Sequence, residues 1–471
     1  MVFSSSIFVF IFLPVVLLCY YLIPKRFRAG RNTVLLIFSL FFYFFGEPRG
    51  ILLMIASVLV NYLSSLFIDR HRSNLSARRA ALIIALMFNL GTLGFYKYTG
   101  FLLYNIERIF NMKLYFPEVI MPIGISFFTF QGLSYVFDVY KGDVPAQRNP
   151  LNVALYISMF PQLVAGPIVR YEDIELEIGT RDENRSDFSA GIRRFVYGLA
   201  KKMLLANTMG TLSAEIAHMD HDSLQWGVAW LGAIAYTFQI YYDFSGYSDM
   251  AIGMGHMFGF KFLENFNYPY ISRSVTEFWR RWHMTLSVWF RDYVYIPLGG
   301  NRCSTPRQIF NIIVVWGLTG LWHGASWNFV VWGLYFAVLL ILEKFVYGKL
   351  LERIPRIFSH IYTLFIVVIG WVIFSTELGM GAVFQNLYSL LPRYKMSVDS
   401  ANYVLFSLRL YRTEFIAAAV FSTPVAKYIA ERFETHYAYQ LARLVCVCAL
   451  FVLSLLAIIS TTFNPFIYFR F

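Results

Sequence analysis

The sequence predicts an all-α polytopic membrane protein, and three observations lead to that class. Of 471 residues, 58% are hydrophobic and only 14% are charged, against roughly 25% charged in a soluble globular chain. Apolar runs recur from one end to the other without a long polar linker, so residues 1–471 read as one integral membrane domain. The 40 Lys and Arg exceed the 28 Asp and Glu by 12, and they sit mostly in short connections between apolar runs, where membrane orientation uses them. No basic domain stands apart, which argues against nucleic-acid binding.

In chain order, residues 7–23 form the first expected span. The charged cluster follows this run and no small-residue cleavage pattern is present, so it reads as a membrane helix and not as a signal peptide. Residues 33–45 and 51–68 are two further runs around a breaker at 46–50. If both cross, the basic clusters at 25–31 and 70–79 share one side, which the positive-inside rule makes cytoplasmic, with the N-terminus outside. Residues 80–96 make another span, and 99–114 read as a separate amphipathic helix at the interface. The runs 119–139 and 151–169 are interrupted by Pro122, Gly124, Gln131, Pro161 and Pro167. Such breaks are tolerated where protein or a wet cavity satisfies the freed backbone, so broken or re-entrant helices are expected.

Residues 170–188 are the most polar part of the chain and read as a solvated loop. A basic helix over 188–209 follows, carrying Arg193, Arg194, Lys201 and Lys202, with a composition suited to an anionic membrane surface. The run 227–242 leads into Asp243, Ser245 and Asp249, polar groups that are costly at the end of a span unless water or partners meet them. Four later runs, 329–342, 357–374, 414–429 and 441–459, complete a count of about eleven crossings at about 20 residues each.

The chemistry concentrates between 274 and 328. Ser274 and Glu277 have capping-box spacing, which starts a helix there. Phe278, Trp282, Leu286, Trp289 and Tyr293 form one apolar stripe along it. His283 lies off that stripe, near Trp279, Ser287 and Phe290. His323 sits between Gly320 and Gly324, beside Trp322, Trp327 and Asn328. An ionisable group in membrane surroundings is a functional-site candidate, and histidine is the usual general base near neutral pH. From the residues alone, a buried structural histidine is as good a reading as a catalytic one. No Gly-x-Ser-x-Gly elbow or His-Glu-x-x-His pair occurs, which argues against a serine hydrolase or a zinc protease. The four cysteines show no zinc or disulfide spacing.

The run FWRRWHMTLSVWFRDYVYIPLGGNR (278–302), followed by WHGASWN (322–328), resembles the membrane-bound O-acyltransferase family. It is most similar to the bacterial branch that acetylates alginate and other surface polysaccharides. Further matching stretches are 121–142, 160–168, YYDFSGYSDMAIGMG (241–255) and PFIYFRF (465–471). The resemblance implies acyl transfer without a metal, with His323 as the catalytic base and His283 assisting in the same tunnel. It implies a ring of membrane helices around a central tunnel, which Trp279, Trp282, Ser287, Trp322, Trp327, Asn328, Gln131, Asp243 and Asp249 are expected to line. No bound cofactor is implied; acetyl-CoA or another acyl thioester is the donor substrate. The implied location is a bacterial plasma or inner membrane. The implied partners are lipid, a polysaccharide acceptor and a secreted or membrane-anchored esterase-like protein. D-alanyl transfer from a carrier-protein thioester to teichoic acid is the alternative within the family, and a transporter or flippase the alternative outside it.

Overall fold

The computed structural model describes residues 2–164, 166–220, 224–376 and 379–460; the closing 465–471 stretch lies outside these. Among the described residues the regular structure is helical. The chain divides into two compact units, residues 1–195 with 248–263, and residues 196–247 with 264–471.

In the first unit, a π-turn over Phe8–Phe12 leads into α1 (Leu13–Leu22), followed by α2 (Arg28–Gly46), α3 (Gly50–Arg70) and α4 (Leu75–Phe110). The breaker at 46–50 separates α2 from α3 as expected, and α2 reaches 19 residues, longer than its apolar run suggested. The separate interfacial helix expected at 99–114 does not exist: α4 continues unbroken for 36 residues and ends on left-handed Asn111. α5 (Ile125–Lys141) lies between left-handed Gly124 and Gly142 and is buried along almost its whole length. A Cβ on Gly132 of α5 would lie 2.3 Å from the Asn61 amide nitrogen, so glycine lets α3 and α5 approach. Asn89 of α4 donates to Asn61 at 2.8 Å, an interhelical polar contact of the kind that joins membrane helices.

The expected broken helix is present as α6 (Pro150–Ser158) and α7 (Phe160–Leu163), split at Met159. The freed amide of Phe160 donates to Ser39. The segment read as a solvated loop is instead α8 (Tyr171–Thr180), whose first turn is closed by Arg170 and Asp173, followed by a buried ion cluster. There Glu183 accepts from Tyr20 and Arg28 and pairs with Arg31 at 3.1 Å, while Arg181 donates to Asn32 and to the Phe258 carbonyl. A run of charged residues looks solvated in sequence because its partners, Tyr20, Arg28 and Arg31, lie about 150 residues earlier.

α9 (Arg185–Ala200), a π-turn over Lys201–Ala206 and α10 (Asn207–Ala217) follow one another without a break, and α11 (Trp226–Met257) is a single 32-residue helix. Glycines let them touch: a Cβ on Gly246 would lie 2.8 Å from the Gly198 carbonyl, and one on Gly253 would lie 2.6 Å from the Gly191 carbonyl. The basic face over 188–209 is not an interfacial patch. Lys202, 3% exposed, pairs with Asp243 at 2.6 Å, and Arg194 pairs with Asp249 at 2.7 Å.

The second unit goes on through α12 (Val275–Arg281), α13 (Met284–Phe290), α14 (Thr305–His323), α15 (Trp327–Leu342), α16 (Gly348–Arg353) and α17 (Arg356–Ser375). It closes with α18 (Met380–Ser389), α19 (Val398–Leu410), α20 (Arg412–Phe421), α21 (Val425–Phe433) and α22 (Tyr437–Ser460). The single span expected over 414–429 is thus two helices, α20 and α21, divided at the turn before Pro424.

Among the described residues, six helices are long and apolar enough to cross a membrane: α2, α3, α4, the 27-residue rod Trp327–Arg353, α17 and α22. Of the other helices, most are shorter, while α11 and α14 are long but more polar than a span of that kind. The outer surfaces of the six are apolar, as at Leu52 (74% exposed) and Met87 (71% exposed). Water would oppose such exposure and lipid accepts it. The chain is a multi-pass membrane protein.

Candidate active site

The site is built in the second unit, and its central feature is a break in a helix. Ser274 caps α12 by accepting from the Glu277 amide at 2.9 Å, as the spacing predicted. The other first-turn donors meet the buried Glu343 carboxylate, which accepts from Val275 N (2.7 Å), Thr276 N (2.8 Å) and Thr276 Oγ1 (2.7 Å). A carboxylate against a helix N-terminus satisfies groups that otherwise lack partners.

The apolar stripe from Phe278 to Tyr293 predicted one uninterrupted helix. The chain instead leaves α12 at Trp282, and His283 takes the left-handed conformation, φ 46°, before α13 begins. A non-glycine residue there costs roughly 1–3 kcal/mol and needs surroundings that impose it. Segment 265–267 supplies them. The Asn267 amide donates to the Arg281 carbonyl, and the Met284 amide donates to the Asn265 carbonyl, both at 2.9 Å. The Asn265 side-chain oxygen accepts from Thr285 Oγ1 at 2.9 Å and lies 3.1 Å from His283 Nδ1.

His323 is the last residue of α14, with Gly324 as its cap. α14 and α15 pack closely because both lack side chains at the crossing. A Cβ on Gly320 would lie 2.3 Å from the Phe329 carbonyl, and one on Gly333 would lie 2.3 Å from the Trp316 carbonyl. The rings of Trp322, Trp332 and Phe374 surround His323 at 5.0, 5.1 and 5.2 Å between centroids.

Both histidines line one cavity of about 1060 Å³. Trp279, Trp282 and Ser287 line it too, together with Trp316, Thr319 and Phe290. Trp322 is packed against both imidazoles, 5.9 Å from His283 and 5.0 Å from His323. Asn328 is buried behind the site and donates to the Phe374 carbonyl at 3.2 Å. Trp327 is 46% exposed and lies outside the cavity lining. Asp243 is held by Lys202 in the second unit; Gln131 and Asp249 belong to the first unit, and none of the three lines the cavity. Toward its rim the lining carries Arg273, Arg280, Arg291, Lys344 and Arg356. Arg291 pairs with Asp292, whereas Arg273, Arg280 and Arg356 make no ion pair among the described residues. Sequence reasoning missed this basic rim, Asn265 and Glu343. The pattern NFNYPY (265–270) before the capping serine was the available signal for Asn265, a polar residue at the head of an aromatic run.

His283 lies outside the six candidate spans. Burial holds it well below the ordinary imidazole range, so its ring is neutral. A cavity with two imidazoles at its wall, aromatic flanks and cations at the rim can bind an anionic, thioester-bearing chain and remove a proton from a hydroxyl.

Comparison with known proteins bears on that chemistry. The probable alginate O-acetylase of Azotobacter vinelandii is 37% identical over the full length of both chains. The peptidoglycan O-acetyltransferase of Helicobacter pylori is 34% identical over 88% of this chain and 83% of its own. The teichoic acid D-alanyltransferase of Bacillus subtilis is 30% identical over 55% of this chain and 69% of its own. Residues 145–391, which contain both histidines and the whole cavity lining, match the membrane-bound O-acyltransferase family. A helical membrane protein with this paired-histidine cavity and these relatives is an O-acyltransferase, and the chain belongs to the membrane-bound O-acyltransferase family.

Proposed function

We propose that this enzyme moves an acetyl group from cytoplasmic acetyl-CoA to a hydroxyl of a secreted or cell-surface polysaccharide. One observation carries the reading: the cavity that holds His283 and His323 opens through a rim bearing Arg273, Arg280 and Arg356, which make no ion pair among the described residues. Coenzyme A presents phosphates to such a rim, and guanidinium groups bind phosphate in paired, charge-assisted hydrogen bonds. The narrow, aromatic-walled interior then receives the pantetheine arm and the thioester.

In the reaction, a ring nitrogen of His323 takes the proton of the acceptor hydroxyl as its oxygen attacks the thioester carbonyl. The C–O bond forms, the tetrahedral intermediate collapses, and the C–S bond breaks. The imidazolium returns its proton to the departing thiolate, leaving an ester and a free thiol. His283 holds the attacking group by accepting a hydrogen bond. Similarity to alginate and peptidoglycan O-acetyltransferases supports acetate as the group and a polysaccharide as the acceptor. The protein would sit in a bacterial plasma or inner membrane with its N-terminus outside, and a secreted esterase-like protein would complete delivery.

The rim gives the test. In membrane vesicles supplied with acetyl-CoA and scored for free thiol, Arg280→Glu combined with Arg356→Glu should raise KM for acetyl-CoA by about tenfold or more, equivalent to about 1.4 kcal/mol of lost binding. An unchanged KM would remove the donor assignment. D-alanyl transfer would appear as turnover of a carrier-protein thioester and none of acetyl-CoA.

A further inference from the structure

We infer that Asn265 is a positioning residue: its side-chain oxygen fixes the tautomer and orientation of His283, so that the imidazole turns a bare Nε2 toward the substrate. The inference rests on the acyltransferase reading for its consequence and on geometry alone for its premise. Asn265 is 2% exposed. Its Oδ1 accepts from the Thr285 amide at 3.3 Å and from the Thr285 hydroxyl at 2.9 Å. An atom receiving backbone N–H is the carbonyl oxygen of the amide and not its NH₂ group, which settles which way Asn265 is turned. That same oxygen lies 3.1 Å from His283 Nδ1, so Nδ1 carries the proton and donates. In a neutral ring Nε2 is then an acceptor with a free lone pair.

The backbone supports the same arrangement. The Met284 amide donates to the Asn265 carbonyl at 2.9 Å, which ties both ends of one residue to the turn where His283 is left-handed. The ring's other neighbours, Phe244, Phe266 and Trp322, are aromatic and uncharged. The titratable and charged groups that share the cavity wall with it are His323, Arg273, Glu277, Arg280, Arg291, Tyr295, Glu343, Lys344, Glu352 and Arg356. Among the described residues, Asn265 Oδ1 is the hydrogen-bond partner that His283 Nδ1 meets.

The consequence separates the two histidines. A ring with Nδ1–H committed to Asn265 offers no proton to a developing oxyanion. It offers a lone pair, which orients an incoming hydroxyl and leaves proton removal to His323 at its helix terminus. The hydrogen bond from His283 Nδ1 to Asn265 thus assigns His283 a role as acceptor.

Two measurements test this on the full-length protein in lipid nanodiscs. Nitrogen-15 NMR of histidine-labelled protein, with the His283 signal assigned by its loss in His283→Gln, should show an Nδ1-protonated neutral ring in the wild type. Asn265→Ala should convert that signal to a tautomer mixture. An Nε2–H ring in the wild type overturns the inference whatever the acyl donor is. The second measurement is the pH profile of acetyl-CoA turnover. Asn265→Asp keeps the acceptor oxygen but adds a charge, which stabilises the imidazolium, so the acid limb should move up by about 1–3 pH units. Asn265→Ala should lower kcat about 10–100-fold, and Asn265→Asp should recover part of it above the shifted limb. An Asp variant with the wild-type profile, or Ala and Asp variants that lose only protein yield, would mean Asn265 merely braces the loop. A wild type that does not turn over acetyl-CoA would defeat the donor assignment and leave the NMR result standing.

Discussion

A single carboxylate can decide how a buried polar cluster behaves, and Glu183 is the example in the first unit. Burial opposes its ionisation, but hydrogen bonds from Arg28, Tyr20 and Arg31 and the charge of Arg28 outweigh burial and hold its pKa at about 2, below the ordinary 4.5. A lowered folded-state pKa contributes stability above the unfolded value and loses it as pH falls toward the folded one. The first unit should therefore weaken between about pH 4.5 and about pH 2. Thermal unfolding followed across that window should show Glu183→Gln less stable than wild type at neutral pH and less sensitive to acid. Equal acid sensitivity in both proteins would place the titrating group elsewhere. Residues of this kind were only partly legible in the sequence. His283 and His323 stood out because an imidazole among tryptophans is unexpected in a membrane. Glu183 did not, because its partners lie far away in the chain and its neighbours Asp182 and Asn184 look like loop.

At the scale of elements, the unbroken run α9–α10 against α11 shows what charge means in this protein. Lys202 and Asp243 are 3% and 1% exposed and 2.6 Å apart. Removing one partner leaves a buried charge and costs about 3–5 kcal/mol, whereas replacing both by well-packed apolar residues is often neutral. Lys202→Met alone should thus lower the yield of folded protein sharply, and Lys202→Met with Asp243→Leu should recover most of it, as read by detergent-stable monodisperse protein. A single variant as stable as wild type would mean that the pair contributes nothing. A helical wheel showed four cations on one helix and suggested a membrane surface; it had no means of showing that Asp243 and Asp249 of α11 meet two of them. Local signals fared better. The capping serine of α12, the breaker before α3 and the proline-split α6–α7 all depend on neighbours in sequence, and all are where those neighbours place them. The break at His283 was hidden for the opposite reason. The stripe Phe278 to Tyr293 keeps helical period through it, and the bonds that impose the turn come from Asn265 and Asn267, outside the helix.

For the whole molecule, membrane character was legible from charge content and apolar runs, since lipid imposes it on every span. The number of full-length crossing helices was not, because burial within protein lets helices be short, broken or polar. Each unit contributes three of the six long apolar helices. The second holds both histidines, the basic rim and the whole cavity, so acyl transfer is expected to depend on the second unit's side chains. Local physics identified an ionisable site in a membrane, similarity to known acyltransferases named the reaction, and both histidines line one cavity.

The central claim is that His323 drives transfer of acetate to a surface polymer. It is tested most directly by mass spectrometry of ester-linked acyl groups released from the surface of cells carrying the wild type, the His323→Ala variant or no gene. Acetate should be present with the wild type and reduced about 10²–10⁴-fold with His323→Ala, the loss expected of a general base, at equal membrane protein level. Wild-type acetate in the variant, or D-alanine as the released group, would contradict the claim.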